Sequence, residues 1–426
     1  MRVLLINQVF SPDVAATAQH AHDLGRHLVA KGHEVHVVCG RAIYGQKGAV
    51  LAKNETIDGI HVHRVGKSLF GKASIALRII DFGLMYVALA LKALTVKKPD
   101  VVVCFTTPPF IALLGWAMRL LRGSRFVYWV MDLYPDLPVS CGVMRPAALP
   151  TRFFEGLNRF CLKRADRAVV LGRCMEQRVR DKGITGDHVV RIGVWSPEEP
   201  HAEVAHADNP YRREWDLGDR FVVMYSGNFG LGHDVKTMCE AAARLDGDDG
   251  WRFIFAGGGK KKAEVERFVQ ERGLKHAILA PYQPREKLVY SLSCADVHLA
   301  SLSEGVEGIM VPCKLFGSMG VGRPTIFIGH PTSELARVLV EHDCGVAVRQ
   351  GDVDGLVAAL TRLKNDPALR RRMGENARRA LRDVYDRDAS CEQWRVLLED
   401  VVARRPPSPR AKAPASPTPE QAATAA

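Results

Sequence analysis

The chain predicts two α/β domains, each a doubly wound parallel sheet with helices on both faces, joined through a hinge. Three observations carry this. Strand-like apolar runs alternate with helical ones in two successive series, the pattern of βαβ units. The 426 residues exceed what one core usually sustains. Between the two series, after Gly193, lies a stretch rich in proline and acids with little periodicity, which suits a linker. The boundaries read as a first domain over 1–195, a linker over 196–218, a second domain over 219–380, a C-terminal helix over 381–403 packing back toward the first domain, and a tail over 404–426.

In order along the chain, MRVLLINQVF holds one arginine and a short apolar run but meets Ser-Pro-Asp, not a small-residue cleavage site. It reads as a first strand, not a signal peptide. A helix follows from about Thr17 to Lys31, then the strand HEVHVVC. Ser68 to Leu94 is helical in composition and unusually apolar, which fits either an interfacial membrane contact or a deep core helix. Val101 to Met118 is free of charge over 18 residues, nominally enough for a short membrane span, but Pro108 and Pro109 break it into strand VVVCF, loop TTPP and helix FIALLGWAMRLL. RFVYWVM and RAVVLG complete the first series, and FVVMYSGNFG, WRFIFAGGG, HAILAPY, DVHLASLS, PTIFIG and GVAVR, with helices between them, form the second. The Pro- and Ala-rich tail has the composition of a disordered segment.

Ten cysteines stand at scattered positions with no C-x-x-C pair, which points to reduced thiols in a cytosol. Net charge is +12, and Arg145 to Arg191 holds 11 Lys or Arg against 5 Asp or Glu. No nucleic-acid recognition motif accompanies that stretch, so it reads as a solvated face or an anionic membrane contact.

Open parallel sheets bind ligands beyond the carboxyl ends of their strands, and small and polar residues concentrate in those loops here. SGNFG ends one strand at 226–230, AGGGKKK ends the next at 256–262, and Lys314 opens a helix after Cys313. Glycines admit backbone N–H groups to a ligand, a helix start favours an anion, and lysine adds a point charge. Together they describe a diphosphate cradle, although neither AGGGKKK nor SGNFG has the spacing of a known phosphate fingerprint.

As a set, SPDVAATAQHAHDLGRHLVAKGHEVHVV, YWVMDLYPD, YSGNFGLGHD, FIFAGGGKKKAEVE and VPCKLFGSMGVGRPTIFIG resemble the GT-B retaining glycosyltransferases of family 4. The branch they resemble makes bacterial surface polysaccharides and includes L-fucosamine transferases. The resemblance runs to about residue 400 and implies two Rossmann-like domains with a cleft between them. It implies a donor site at Gly227, Asn228, Gly257, Gly258, Lys261, Tyr282, Gln283, Lys314, Leu315 and Glu334, an acceptor site at Asp13, Thr17, His20 and Thr107, and Asp132 or Asp136 as the acceptor-orienting or basic carboxylate. Several family positions differ. Ala15 and Ala16 replace a Gly-Gly pair, Asn228 and His233 replace an arginine and a lysine, Met131 replaces a histidine, and the glutamate pair E-x7-E falls on Ile309 and Gly317. Glu304 and Glu307 do not occupy those positions, and Lys314 offsets one lost cation.

The resemblance implies an enzyme that moves a sugar from a nucleotide-diphosphate sugar to a saccharide or lipid-linked acceptor, in the cytoplasm and peripheral to the inner face of the cell membrane. Neither domain shows an Asp-x-Asp at a strand end, so no metal or other cofactor is expected. Two alternatives stay open: a nucleotide-sugar 2-epimerase on the same fold, which needs a carboxylate and histidine set not found here, and a non-catalytic partner protein, which the missing glutamates would suit.

Overall fold

The computed structural model describes residues 1–13, 15–42, 50–66, 75–196 and 204–404. The first domain is built on an eight-stranded sheet of β1 (Arg2–Ile6), β2 (Glu34–Gly40), β3 (Asn54–Ile57), β4 (Ile60–Val65), β5 (Val101–Cys104), β6 (Arg125–Val130), β7 (Arg167–Val170) and β8 (Val189–Arg191). Their order is β3-β4-β2-β1-β5-β6-β7-β8. The second domain has six strands, β9 (Phe221–Asn228), β10 (Trp251–Gly258), β11 (Ala277–Ala280), β12 (Val297–Ser301), β13 (Thr325–Ile328) and β14 (Gly345–Val348), ordered β11-β10-β9-β12-β13-β14. Every pairing is parallel except β3 with β4. That edge hairpin is absent from the sequence reading, although Asp58-Gly59, both at positive φ, forms the two-residue turn that hairpins favour.

Helices α1 (Ala16–Ala30), α2 (Ile75–Thr95), α3 (Ala112–Arg122), α4 (Asp136–Ser140), α5 (Leu149–Arg164) and α6 (Arg173–Asp181) serve the first domain. The second carries α7 (Pro210–Glu214), α8 (Lys236–Leu245), α9 (Lys262–Arg272), α10 (Leu288–Ser293), α11 (Lys314–Gly320), α12 (Glu334–Glu341), α13 (Val353–Asn365) and α14 (Pro367–Asp383). Last comes α15 (Arg387–Ala403), which begins six residues later than the expected 381. The expected linker is shorter than its composition suggests. Asn209 caps α7 through a hydrogen bond from Tyr211 N–H at 2.9 Å, and Tyr211 and Leu217 are buried with Val222 and Ile254 in the second domain. Residues 197–203 and the tail from 405 lie outside the described residues, as does the start of the apolar segment at Ser68.

Apolar α2 answers the sequence question in both directions. Leu89 and Ala93 are buried against the first sheet, while Leu84, Val87 and Leu91 face outward. Among the described residues no helix is long and apolar enough to cross a membrane.

Among the described residues, one hydrophobic core spans both domains, and the second domain holds two further clusters of its own. Helix α15 lies on α1 and β5 and places the buried Trp394 ring 4.3 Å from Trp129, whose other neighbours are Phe105 at 4.6 Å and Trp195 at 5.8 Å. Trp394→Ala should therefore cost about 3 to 5 kcal/mol of stability, whereas Val396→Ala, on the exposed side of the same helix, should shift it by under ~0.5 kcal/mol. Thermal unfolding of the two variants checks this; similar small shifts for both would mean that α15 is not a structural part of the first domain.

Candidate active site

Both sheets reverse their strand order where β1 meets β5 and where β9 meets β12, the position at which open sheets form crevices. A cavity of about 280 Å³ opens between these two points. On the second-domain side, β9 and β10 stay in register to Gly227 opposite Gly257. A Cβ on Gly257 would stand 2.0 Å from the Gly227 carbonyl oxygen, and one on Gly227 would stand 2.9 Å from Lys314 Cε. Both residues also hold φ near +129°, so only glycine fits and the strand tips present bare backbone. Tyr282 and Gln283 line the same cavity, fixed by Tyr282 donating to the Gly258 carbonyl at 3.3 Å and Gln283 Oε1 accepting from Tyr211 at 2.7 Å.

Lys314, the first residue of α11, projects into this trough. Its Nζ donates to the Asn228 carbonyl at 3.1 Å, lies 3.4 Å from His233 Nε2 and sits 4.8 Å from the centre of the Tyr225 ring. His233 Nδ1 is 2.6 Å from the Ser301 carbonyl, which can only accept, so Nδ1 carries the proton and Nε2 offers its lone pair to Lys314. Burial, reinforced by Lys314, lowers His233 to about 3, so the ring is neutral. Burial also lowers Lys314 to about 7. His233 is thus a neutral acceptor that steadies the Lys314 ammonium.

From the first domain, α1 contributes Ala16, Gln19 and His20. His20 is fully buried, meets the Trp195 ring at 4.8 Å and has Nε2 3.8 Å from Cys313 Sγ; burial lowers it to about 4. Asp132 follows β6, and its N–H donates to Thr106 Oγ1 at 3.2 Å. Burial raises its carboxyl to about 6. Its charge adds to the burial that raises the nearby Cys313 thiol to about 11.

Of the sequence-derived residues, Gly227, Gly257, Tyr282, Gln283, Lys314 and His20 line the cavity. The others are placed differently. Asp136 pairs with Lys182 at 2.8 Å, and Lys182 also holds Glu155 at 2.8 Å, so this carboxylate is engaged within the first domain. Glu334 accepts from Arg173 N–H at 2.7 Å and from its Nε at 3.1 Å; it caps α6 across the domain boundary and is outside the cavity lining. Leu315 is buried in the interdomain core. Lys261 turns its Nζ to the His233 carbonyl at 2.6 Å, Asn228 contributes its carbonyl oxygen, and Gly258 packs under Tyr282. Asp13 accepts from Ala15 N–H at 2.9 Å, Thr107 accepts from Gln8 N–H at 2.7 Å through its carbonyl, and Thr17 is outside the cavity lining. Gln19, Ser226 and Cys313 line it in addition; Ser226, which opens the SGNFG run, and Cys313, adjacent to Lys314, carried a signal in their positions.

Residues 16–195 match the model of the glycosyl transferase 4-like domain, and residues 208–380 match that of glycosyl transferases group 1. The chain is a GT-B glycosyltransferase, family 4-like in its first domain. It is similar to the colanic acid biosynthesis glycosyl transferase WcaI of Escherichia coli K12, 26% identical over 84% of this chain and 91% of that protein. In fold it resembles a sucrose-phosphate synthase from Thermosynechococcus elongatus, with a TM-score of 0.76 at 18% identity over 95% of this chain and 99% of that one. It also resembles HepE of Anabaena in complex with UDP-glucose, with a TM-score of 0.70 at 12% identity over 94% and 100% of the two chains.

In this GT-B glycosyltransferase Ile309 and Gly317, where the resemblance implies a glutamate pair, take different places. Ile309 is buried and gives its carbonyl to Leu133 N–H at 2.9 Å. Gly317 lines the cavity, where a Cβ would meet only Leu292, at 3.3 Å. Glu307 accepts from Gly305 N–H at 3.0 Å within its own loop and lies 3.9 Å from Arg178 of the first domain, while the Glu304 N–H donates to the Gln350 side chain, beyond β14, at 2.8 Å.

The lowered Lys314 sets a pH dependence. Its cation is present below about 7 and disappears as pH rises through that value, while a sugar-nucleotide diphosphate keeps its charges. Donor affinity measured by calorimetry should fall from pH 6 to pH 9 in the wild type; Lys314→Ala should bind weakly and with little pH dependence, and the two should converge at pH 9. A flat wild-type profile would remove Lys314 from the donor site.

Proposed function

We propose that the enzyme transfers a sugar, with retention, from a nucleotide-diphosphate sugar to a saccharide or lipid-linked acceptor in the assembly of a bacterial surface polysaccharide. The observation that carries this reading is Lys314, the one charged side chain among the described residues lining the cavity, fixed at a helix start beside bare glycine backbone. A cation and backbone dipoles so arranged would stabilise the charge that develops on a departing diphosphate. The relative named for colanic acid biosynthesis supports the polysaccharide setting, and the neighbour in complex with UDP-glucose supports a nucleotide-sugar donor.

In this reading the donor's glycosidic bond to the diphosphate breaks, the acceptor oxygen bonds to the same carbon on the same face, and the acceptor proton passes to the leaving diphosphate. Asp132 orients the acceptor hydroxyl, and His20, neutral in its aromatic pocket, shapes the sugar side. Lys314→Ala should reduce turnover by roughly 10- to 150-fold, the value of one charge-assisted hydrogen bond to phosphate. Asp132→Asn should lower kcat more than donor affinity. Steady-state kinetics beside donor calorimetry separate the two; equal losses of both quantities in Asp132→Asn would overturn the acceptor role. With Lys314 as the counter-charge, turnover should also be unchanged in chelator. Loss in chelator restored by magnesium would assign that task to a metal.

We further propose that the first domain rests on an anionic membrane surface. Helices α2, α3 and α5 adjoin on one side of its sheet, and each exposes large apolar residues: Leu84 and Leu91 on α2, Leu120 and Leu121 on α3, and Leu149 (79% exposed) and Phe153 (65%) on α5. Much of the basic stretch is internally paired, as Arg159 with Glu155, Arg180 with Glu176 and Arg173 with Glu341. Arg145, Arg152 and Lys163 form no ion pair among the described residues and flank the exposed apolar residues of α5. Anionic vesicles should recruit the protein in a salt-sensitive way, neutral vesicles weakly, and Leu149→Ser with Phe153→Ser should release it. Equal binding to both vesicle types, or retention by the double variant, would leave this a solvated face.

A further inference from the structure

The Arg-Pro that ends the Lys314 stretch has no part in the cleft. It opens β13 at the far end of the second sheet, where two recesses of about 360 and 340 Å³ adjoin. They share His206, Asp296 and Arg370. The larger is lined by Arg323, Arg370, Arg371 and Arg378 against only Asp296 and Glu375 among acids. Asp296 is already committed: it accepts from Val222 N–H at 2.9 Å and lies 3.7 Å from Arg212 and 3.6 Å from Arg370. Its charge therefore leaves Arg371 and Arg378 uncompensated.

The arginines are seated by close packing. A Cβ on Gly322 would lie 2.2 Å from Arg378 Nε, and one on Gly374 would lie 2.1 Å from the Gly322 carbonyl. Helix α14 thus rests directly on the turn before β13, and Arg378 lies along it, donating to the Val321 carbonyl at 3.2 Å. Arg323 donates to His206 Nε2 at 3.1 Å and to the Ser293 carbonyl at 3.3 Å. Burial lowers His206 to about 4; Asp296 opposes that fall, while Arg212, Arg323 and Arg370 add to it. The recess is positive even with its histidine neutral. Arg371, at the mouth, has no hydrogen bond or ion pair among the described residues, and neither has Glu375.

We propose that this recess binds a small sugar phosphate, with Arg371 and Arg378 on the phosphate and Glu375 accepting from a sugar hydroxyl. Guanidinium groups match the oxygens of a phosphate monoester, Arg371 and Arg378 border the same recess from positions two turns apart on α14, and the volume suits a ligand of hexose size. The site is independent of the cleft, since it lies beyond the opposite end of the helix that starts at Lys314.

Calorimetric titration of the full chain with glucose 6-phosphate tests this. Binding is expected in the wild type, weaker by about tenfold in Arg371→Ala, lost in Arg371→Ala with Arg378→Ala, and unchanged in Lys314→Ala. Arg371 is exposed, so its single variant decides the matter if the double variant misfolds. Absence of binding in the wild type, equal affinity in Arg371→Ala, or loss in Lys314→Ala would each overturn the proposal. A phosphate on a lipid is the other source of this chemistry. Flotation with phosphatidic acid vesicles that depends on Arg371 and Arg378, without binding of glucose 6-phosphate, would likewise reject it.

Discussion

A backbone stitch between the domains governs the site. The Leu133 N–H donates to the Ile309 carbonyl at 2.9 Å, and Asp132 pairs with Met310 as an antiparallel bridge. Buried backbone groups must find partners, and here the end of β6 finds them in the loop that leads from β12 to α11. That pairing brings Cys313, the residue before Lys314, up to His20 and into the field of Asp132. Glu334 strengthens it from the side by capping α6, and α15 returns to seal the first domain through Trp394. The cleft is therefore held by covalent neighbours of the site, and a shift of either domain moves the candidate residues with it.

The electrostatics inside the cleft are sparse. His20 and His233 are both neutral because both are buried, and the glycine strand tips contribute dipoles but no net charge. An ammonium in such surroundings acts on a phosphate through a lower effective dielectric than at the surface, although the same burial weakens its hold on its proton. Lys314 thus combines strong local action with sensitivity to pH. Its acceptors, the Asn228 carbonyl and His233, are fixed by their own hydrogen bonds.

Elsewhere the basic excess of the chain is divided into two kinds. Much of the stretch from Arg145 to Arg191 is bound in ion pairs such as Arg167 with Asp187 and Lys182 with Glu155, which leaves a smaller free set beside exposed Leu149 and Phe153. On α14 the reverse holds. Arg371 and Arg378 border a recess whose acids are fewer than its arginines, so the positive potential is local and shaped. A net charge alone distinguishes neither situation.

By itself the sequence determined the alternation of strands and helices, because apolar periodicity reports which face of an element is buried. It also determined the glycine tips at Gly227 and Gly257 and the helix-start position of Lys314, which are local features of strand ends and a helix start. It did not reveal the β3–β4 hairpin, whose short strands lie at a half-exposed edge, or the seating of Tyr211 and Leu217 on the second domain. Asp136 and Glu334 carried the residue type of a catalytic or donor-binding acid, but tertiary structure committed them to Lys182 and Arg173. Only the fold could place His20 against Cys313, 293 residues away, or turn His233 into the acceptor for Lys314. A side chain's chemistry depends on burial and on the partners brought to it from distant parts of the chain, and neither is encoded in spacing.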